Sequence, residues 1–232
     1  MNDSLLKGAI AEFLGTFTLV FVGAAVVATG NGLVAAALAH GLILVGIILM
    51  YGRISGAHVN PAVTLGLLVG RQITLDKAIF YWVAQLVGGI VAALVLSLLI
   101  GTAQAPLAEG SDVLNLGQTV GALTTSQVWT AGAFEAVLTF FLVSAVYQAA
   151  VFGKLNNLEA LAIGLTLAGS IFAGGVYTGA SLNPARTFGP ALIGGGDISY
   201  VIPYLVGQLL GGAVAGLLHM ALFRPQATPE QS

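Results

Sequence analysis

The sequence predicts an all-α membrane protein of six transmembrane helices plus two re-entrant half-helices, built as an inverted repeat. Three observations predict it. Hydrophobic residues are 57% of the 232 residues and charged residues only 7%, where soluble domains carry about 25% charged. Mean hydropathy is +0.98, so the solvent of this chain is lipid. An eleven-residue stretch occurs twice: Gly56-Ala57-His58-Val59-Asn60-Pro61-Ala62-Val63-Thr64-Leu65-Gly66 returns as Gly179-Ala180-Ser181-Leu182-Asn183-Pro184-Ala185-Arg186-Thr187-Phe188-Gly189. The shift between copies, 183 − 60 = 123, also carries Glu12 to Glu135, Thr16 to Thr139, Gly41 to Gly164, Tyr81 to Tyr204, Gln85 to Gln208 and Gly88-Gly89 to Gly211-Gly212. One register from end to end means two copies of one unit. The chain is read as a single domain over 1–232, with repeats at roughly 5–100 and 128–223 joined by a loop at 101–127.

The six apolar runs are Gly8–Thr29, Leu33–Tyr51, Ala78–Ile100, Ala131–Phe152, Leu158–Ala173 and Tyr200–Phe223. Each approaches the ~20 residues needed to cross a hydrocarbon core. All are Gly-rich, which in lipid lets helices approach closely. Between the second and third runs lies the apolar segment Asn60–Gly70, and between the fifth and sixth lies Asn183–Ile193. Eleven residues at 1.5 Å each reach about 16 Å, half the core. Neither segment can span, and both are too apolar for a water-exposed loop. Each is read as a half-helix, with irregular backbone tolerated because it lines a cavity.

Basic residues set the orientation. With the N-terminus inside, Lys7, Arg53, Arg71, Lys77, Lys154 and Arg224 all fall on the cytoplasmic side. The third connection carries Glu109 and Asp112 and no Lys or Arg, so it falls outside. Three spans per repeat make the halves enter the membrane in opposite directions. Both termini are expected in the cytoplasm, and the membrane is expected to be the plasma (inner) membrane. Arg186 is the exception, a charge within the second half-helix, and such a residue reads as functional. Cys is absent, and three scattered His give no metal-ligand spacing, so no metal, cofactor or thiol chemistry is expected. No basic patch points to nucleic acid. The first apolar run contains Glu12 and belongs to the repeat, which argues against a cleavable signal.

Asn followed by Pro reads as a helix N-cap followed by its first residue. The Asn oxygen is expected to accept from the third helical amide, leaving its NH₂ free to donate into a cavity. Inverted repeats bring the two half-helix N-termini face to face at the midplane, each with a positive dipole end of about half a charge. A single Asn-Pro is merely a good helix start. Two in one register, each opening a segment too short to span, point to a paired donor site.

Two Asn-Pro-Ala boxes on a membrane repeat, Asn60-Pro61-Ala62 and Asn183-Pro184-Ala185, resemble the aquaporin (major intrinsic protein) family over nearly the whole chain. The wording around them looks closest to the plant tonoplast-type and bacterial water-channel branch. The resemblance implies an aquaporin-like fold, passive passage of water with protons and ions excluded, no enzymatic activity, and a homotetramer with one pore per subunit in the lipid bilayer. It implies pore-lining carbonyls on the segments before the boxes, Gly56, Ala57, His58 and Val59, then Gly179, Ala180, Ser181 and Leu182. These segments are expected to be extended. It also implies a selectivity filter of His40, Ile171, Ala180 and Arg186. Val63 matches Arg186 in the first half, so the constriction is one-sided. The strict water pattern has an aromatic in the second span and His in the fifth. Here His stands in the second and an aliphatic in the fifth, so the wall opposite Arg186 becomes apolar. Such filters resemble those that pass water and often ammonia, some also urea or hydrogen peroxide. Thr187, where glycerol facilitators usually carry Asp, and Ala191 are water-like, whereas Leu205 leans the other way.

Glu12 and Glu135 are carboxylates inside spans. One reading is proton coupling. The favoured one is anchorage of the re-entrant loops, since no acidic or His partner shares their turns. Gln85 and Gln208 are read as helix–helix glue, His219 as interfacial, Tyr81 and Trp82 as inner aromatic belt and Trp129 as outer belt. Rival functions are a glycerol or other small-neutral-solute facilitator on the same fold, a proton-coupled transporter, and an adhesive protein with a closed pore.

Overall fold

The computed structural model describes residues 3–101, 116–153, 158–195 and 197–225. Glu109, Asp112, Lys154 and the polar tail Thr228–Ser232 lie outside the described residues. Every regular element among those described is helical: α1 Asp3–Ala28, α2 Gly32–Ser55, α3 Pro61–Val69, α4 Leu75–Gly101, α5 Ala122–Ser126, α6 Val128–Val146, α7 Glu159–Thr178, α8 Pro184–Gly194 and α9 Val201–Leu222. A π-helical turn, Tyr147–Val151, extends α6. Six of these helices, the last five residues of α6's span being the π turn's, are long and apolar enough to cross a membrane. The remaining α3 and α8 are the half-helices, and α5 is a short helix that no sequence signal announced. All six spans carry exposed large apolar side chains, from Ile10 and Leu42 to Leu210, a surface suited to lipid tails.

Helix ends run past the expected boundaries. The second helix continues beyond Tyr51 to Ser55, and the fifth beyond Ala173 to Thr178. Hydropathy misses these turns because their polar residues are satisfied inside the protein. Both Ser55 and Thr178 are buried and bonded to a carboxylate.

The repeats interleave. The spans pair most extensively as α1 with α4, α6 with α9 and α2 with α7, while α3 packs on α9 and α8 on α4. Each half-helix therefore rests on a span of the other repeat. Glycine permits this approach: a Cβ on Gly66 would lie 2.8 Å from the Gly212 carbonyl oxygen, and one on Gly89 2.6 Å from that of Ala185.

The loops into the half-helices are not extended. Gly56 (φ 97) and Gly179 (φ 77) end their helices in the left-handed conformation, where glycine carries no Cβ penalty. Ala57 (φ 48), Val59 (φ 42), Ala180 (φ 44) and Leu182 (φ 55) then visit the same region without glycine's freedom. Such residues cost of order 1–3 kcal/mol each and persist only when their surroundings hold them. The physical reason lies in what holds their amides.

Candidate functional site

Two buried carboxylates hold the loops. Glu12, on α1, accepts from Ser55 Oγ (2.6 Å) and the His58 amide (2.9 Å) on one oxygen, and from the Val59 amide (2.6 Å) and Gln85 Nε2 (2.7 Å) on the other. Glu135, on α6, accepts from Thr178 Oγ1 (2.7 Å), the Ser181 amide (3.0 Å), the Leu182 amide (2.8 Å) and Gln208 Nε2 (2.8 Å). Every donor in one set is the 123-shifted partner of a donor in the other. All four acceptor sites of each carboxylate are used. No lone pair is left to relay a proton, and among the described residues no acidic or His side chain bonds to either Glu. The left-handed residues turn consecutive amides onto one carboxylate, which an extended strand with alternating amides would not do.

With their amides committed, the loops cross-link through the two Asn residues. Asn60 Nδ2 donates to the Leu182 carbonyl (2.8 Å), and Asn183 Nδ2 donates to the Val59 carbonyl (2.8 Å). Each carboxamide thus meets the residue preceding the other Asn. The oxygens cap their helices, Asn60 from the Ala62 amide (2.8 Å) and Asn183 from the Ala185 (3.0 Å) and Arg186 (3.4 Å) amides. Two expectations are corrected here. The first cap reaches the second helical amide and not the third. The NH₂ groups are not wholly free: one N–H of each is bound across the dyad, leaving one to face the cavity that both Asn residues line. Pro61, Ala62, Pro184 and Ala185 are buried as the first turns of α3 and α8. The Pro61 carbonyl accepts from Trp82 Nε1 (3.1 Å).

Two cavities open towards opposite ends of the helix bundle. The larger, about 390 Å³, extends from Asn60 and Asn183 to the end carrying Arg53 and Lys77, here called the basic end. The smaller, about 280 Å³, opens at the opposite end among Leu33, Val120, Ile171 and Gly179. His40 and Arg186 are the two described residues lining both, so the cavities meet there. Arg186 Nε donates to His40 Nε2 (3.2 Å), and His40 Nδ1 is 2.7 Å from the Ala36 carbonyl oxygen. That pair of contacts assigns the proton to Nδ1. Arg186 Nη1 is buried with no acceptor among the described residues. Ile171 lines the smaller cavity. Gly56, Ala57, His58, Val59 and Ser181 line the larger cavity and Gly179 the smaller one. Ala180 and Leu182 fall outside both lining sets. The Ala180 side chain packs towards Gly174, and the Leu182 carbonyl is taken by Asn60.

His58 Nδ1 contacts Thr64 Oγ1 (3.1 Å), which also bonds Gln85. In the second half Ser181 and Thr187 are joined by a hydroxyl bond (2.7 Å), and Gln208 reaches Thr187 (2.9 Å). Gln85 on α4 thus joins Glu12 of α1 to Thr64 of α3, and Gln208 on α9 joins Glu135 of α6 to Thr187 of α8, the helix–helix contacts expected of them. Tyr81 is misplaced by the belt reading. It is buried, and its hydroxyl donates to the Ser55 carbonyl (2.9 Å), as that of Tyr204 does to Thr178 (2.9 Å). His219 is not interfacial but buried, stacked on Tyr147 with ring centroids 5.6 Å apart. Trp129 is exposed, as an interfacial aromatic would be. Ser55, Thr178 and Thr64 were given no role in the sequence reading, and Thr187 only one against glycerol; the 123 shift was the signal that pairs them.

A family model described as major intrinsic protein matches residues 2–219. Among curated proteins, "Aquaporin TIP1-2" of Musa acuminata is 40% identical, covering 99% of this chain and 92% of its own length. "Probable aquaporin TIP1-2" of Oryza sativa subsp. japonica is 41% identical, covering 97% and 90%. Among solved structures, the aquaglyceroporin from Plasmodium falciparum superposes with a TM-score of 0.76 at 25% identity, covering 94% of this chain and 96% of that one.

Proposed function

This chain belongs to the major intrinsic protein family, and on that footing we propose that it conducts water passively while excluding protons and ions. It is an integral, multi-pass transport protein and not an enzyme. The observation that carries the water reading is the reciprocal Asn60–Leu182 and Asn183–Val59 pair, which fixes two carboxamides on the wall of one cavity with an N–H spare on each. A water passing them gives its oxygen to those donors and turns its hydrogens outward. Its neighbours on either side then point in opposite directions, and a proton cannot hop through. The N-terminal ends of α3 and α8 add positive potential at the same spot, which opposes cations. Arg186 adds a full charge at the junction of the cavities. The saturation of Glu12 and Glu135 by four donors each supports their anchoring role over proton coupling.

A second reading has its own support. Both His40 nitrogens are engaged, and Ile171 is the aliphatic partner across from Arg186. That wall offers few polar partners, so ammonia passes with water; glycerol, which the name aquaglyceroporin indicates for the Plasmodium falciparum protein, is the poorer solute. The cavities lie within one chain, which supports one pore per subunit of a homotetramer. The basic end faces the cytoplasm, since Lys7, Arg53, Arg71, Lys77 and Arg224 all follow from the helix order to that end.

The test is stopped-flow light scattering of proteoliposomes. Against sucrose the vesicles shrink faster than bare lipid, with a low temperature dependence. Replacing sucrose by glycerol, urea or ammonium ranks the solutes. Shrinkage no faster than bare lipid ends the water reading.

A further inference from the structure

The passage of water does not account for the mouth of the larger cavity. Its walls are apolar for most of their length, with Leu44, Ile48, Leu142, Ile163 and Leu167 among them. Two cations, Arg53 and Lys77, line it at the basic end, and among the described residues no Asp or Glu lines it. Among the described residues neither cation has a carboxylate partner, the ion pair found there being Lys7–Asp3. Arg53 is exposed in the last turn of α2. Lys77 Nζ lies 5.1 Å from the centroid of the Tyr81 ring, which fixes its stem beside the opening. Asp76, its neighbour in the chain, is not part of the lining. The other cavity has no such pair, its lining cation being Arg186 at the junction.

We propose that the larger cavity is a binding site for a monovalent organic anion with a compact apolar body, an aryl carboxylate or sulfonate, which closes the water path when bound. Its head group pairs with Arg53 and Lys77. Its ring enters between the aliphatic walls below Asn60 and Asn183. A volume of about 390 Å³ falls within the ~300–1,000 Å³ range of small-molecule sites. Apolar walls with a few convergent polar groups are the usual composition of such sites. The planar Arg fork suits an oxyanion's paired oxygens, and Lys supplies a point charge beside it. A cation of the same shape meets two positive side chains at the entrance and two helix dipole ends at the far wall. The closure of the water path rests on the water-channel reading; the binding does not.

The probe is 2-naphthalenesulfonate, with naphthyl-trimethylammonium as the control of opposite charge. Equilibrium binding to the purified full-length chain is read by probe fluorescence against an empty-micelle blank. Water flux is read with the probe trapped inside proteoliposomes or added outside. Saturable binding of the sulfonate is expected, with the ammonium about tenfold weaker. Arg53→Gln with Lys77→Gln weakens sulfonate binding by about tenfold, whereas the charge-keeping Arg53→Lys with Lys77→Arg stays within about threefold. Inhibition of each variant is normalised to its own rate and arises only from the side on which the basic end opens. Equal binding of both probes, or equal loss in the two double variants, overturns the site. Binding without slower flux overturns the closure. No flux without probe, with binding intact, sinks the water reading and leaves the site.

Discussion

Glu135→Gln isolates what holds the second loop in place. The carboxylate receives two donors on each oxygen, at 2.7 and 3.0 Å and at 2.8 and 2.8 Å. A glutamine has one acceptor oxygen, so whichever way it turns its NH₂ faces two donors. Some of the conflict is removable. The Thr178 hydroxyl can rotate, and Gln208 can present its Oε1, which is buried without a partner. Backbone amides cannot turn. Either the Ser181 or the Leu182 amide is left as a buried orphan donor, at about 1–3 kcal/mol, and the surviving bonds lose their charge assistance. The sum is roughly 2–5 kcal/mol, or a fall in apparent Tm of about 5–15 °C for a chain of this size. Water permeability falls with it, because the Leu182 carbonyl is the acceptor that orients Asn60. Scanning fluorimetry in detergent and stopped-flow shrinkage of liposomes, normalised to incorporated protein, read the two effects. Glu12→Gln behaves alike, since its donors are the 123-shifted set. A Glu135→Gln protein with wild-type permeability and Tm refutes the anchoring argument.

Four further outcomes follow from particular contacts. A Cβ on Gly23 would lie 2.6 Å from His40 Cδ2 and 2.7 Å from Cε1, so Gly23→Ala drives the imidazole off Arg186; overpacking of about 1–3 kcal/mol and an altered glycerol-to-water ratio are expected, and an unchanged ratio removes Gly23 from the filter. Arg186→Val takes the full charge from the junction of the cavities; ion leak, measured as dissipation of a potassium gradient in liposomes, rises above that of the parent chain. Asn60→Asp sets an oxygen against the Leu182 carbonyl in place of a 2.8 Å donor, and water permeability drops severalfold; parent-like flux would mean the cross-dyad bond is dispensable. With no Cys in the sequence, mercuric chloride leaves water flux unchanged; inhibition would locate a non-thiol mercury site.

The sequence displayed the repeat, the six spans and both half-helices because each is a matter of period or length. Asn60–Gly70 was too short to cross and too apolar to stay outside, and α3 occupies that segment. The charge of Arg186 inside a half-helix and the family resemblance pointed to Arg186 and His40, which bond to each other across 146 residues. What stayed hidden depends on directions in space. Nothing in a linear pattern says that Val59 sits at φ 42, because propensity argues against a β-branched residue there and only the Glu12 carboxylate and the Asn183 carboxamide hold it. Tyr81 reads as a belt residue until its hydroxyl is seen on the Ser55 carbonyl. Gln85 and Gln208 read as glue because a glutamine inside a span has many possible partners, and only the positions of Glu12 and Glu135 single one out.

The crossed seating of α3 on α9 and α8 on α4 has a consequence for biosynthesis. A ribosome delivers residues in order, and α3 emerges well over a hundred residues before the helix that supports it. During that interval the first short helix has an unfilled flank and its Asn60 has no Leu182 to hold. The conducting path therefore cannot assemble by halves; it closes in one late event, when the sixth span arrives. A truncated product ending near residue 100 is left incomplete, a natural client for membrane quality control, whereas two co-expressed fragments cut in the central connection hold all the surfaces needed to find each other.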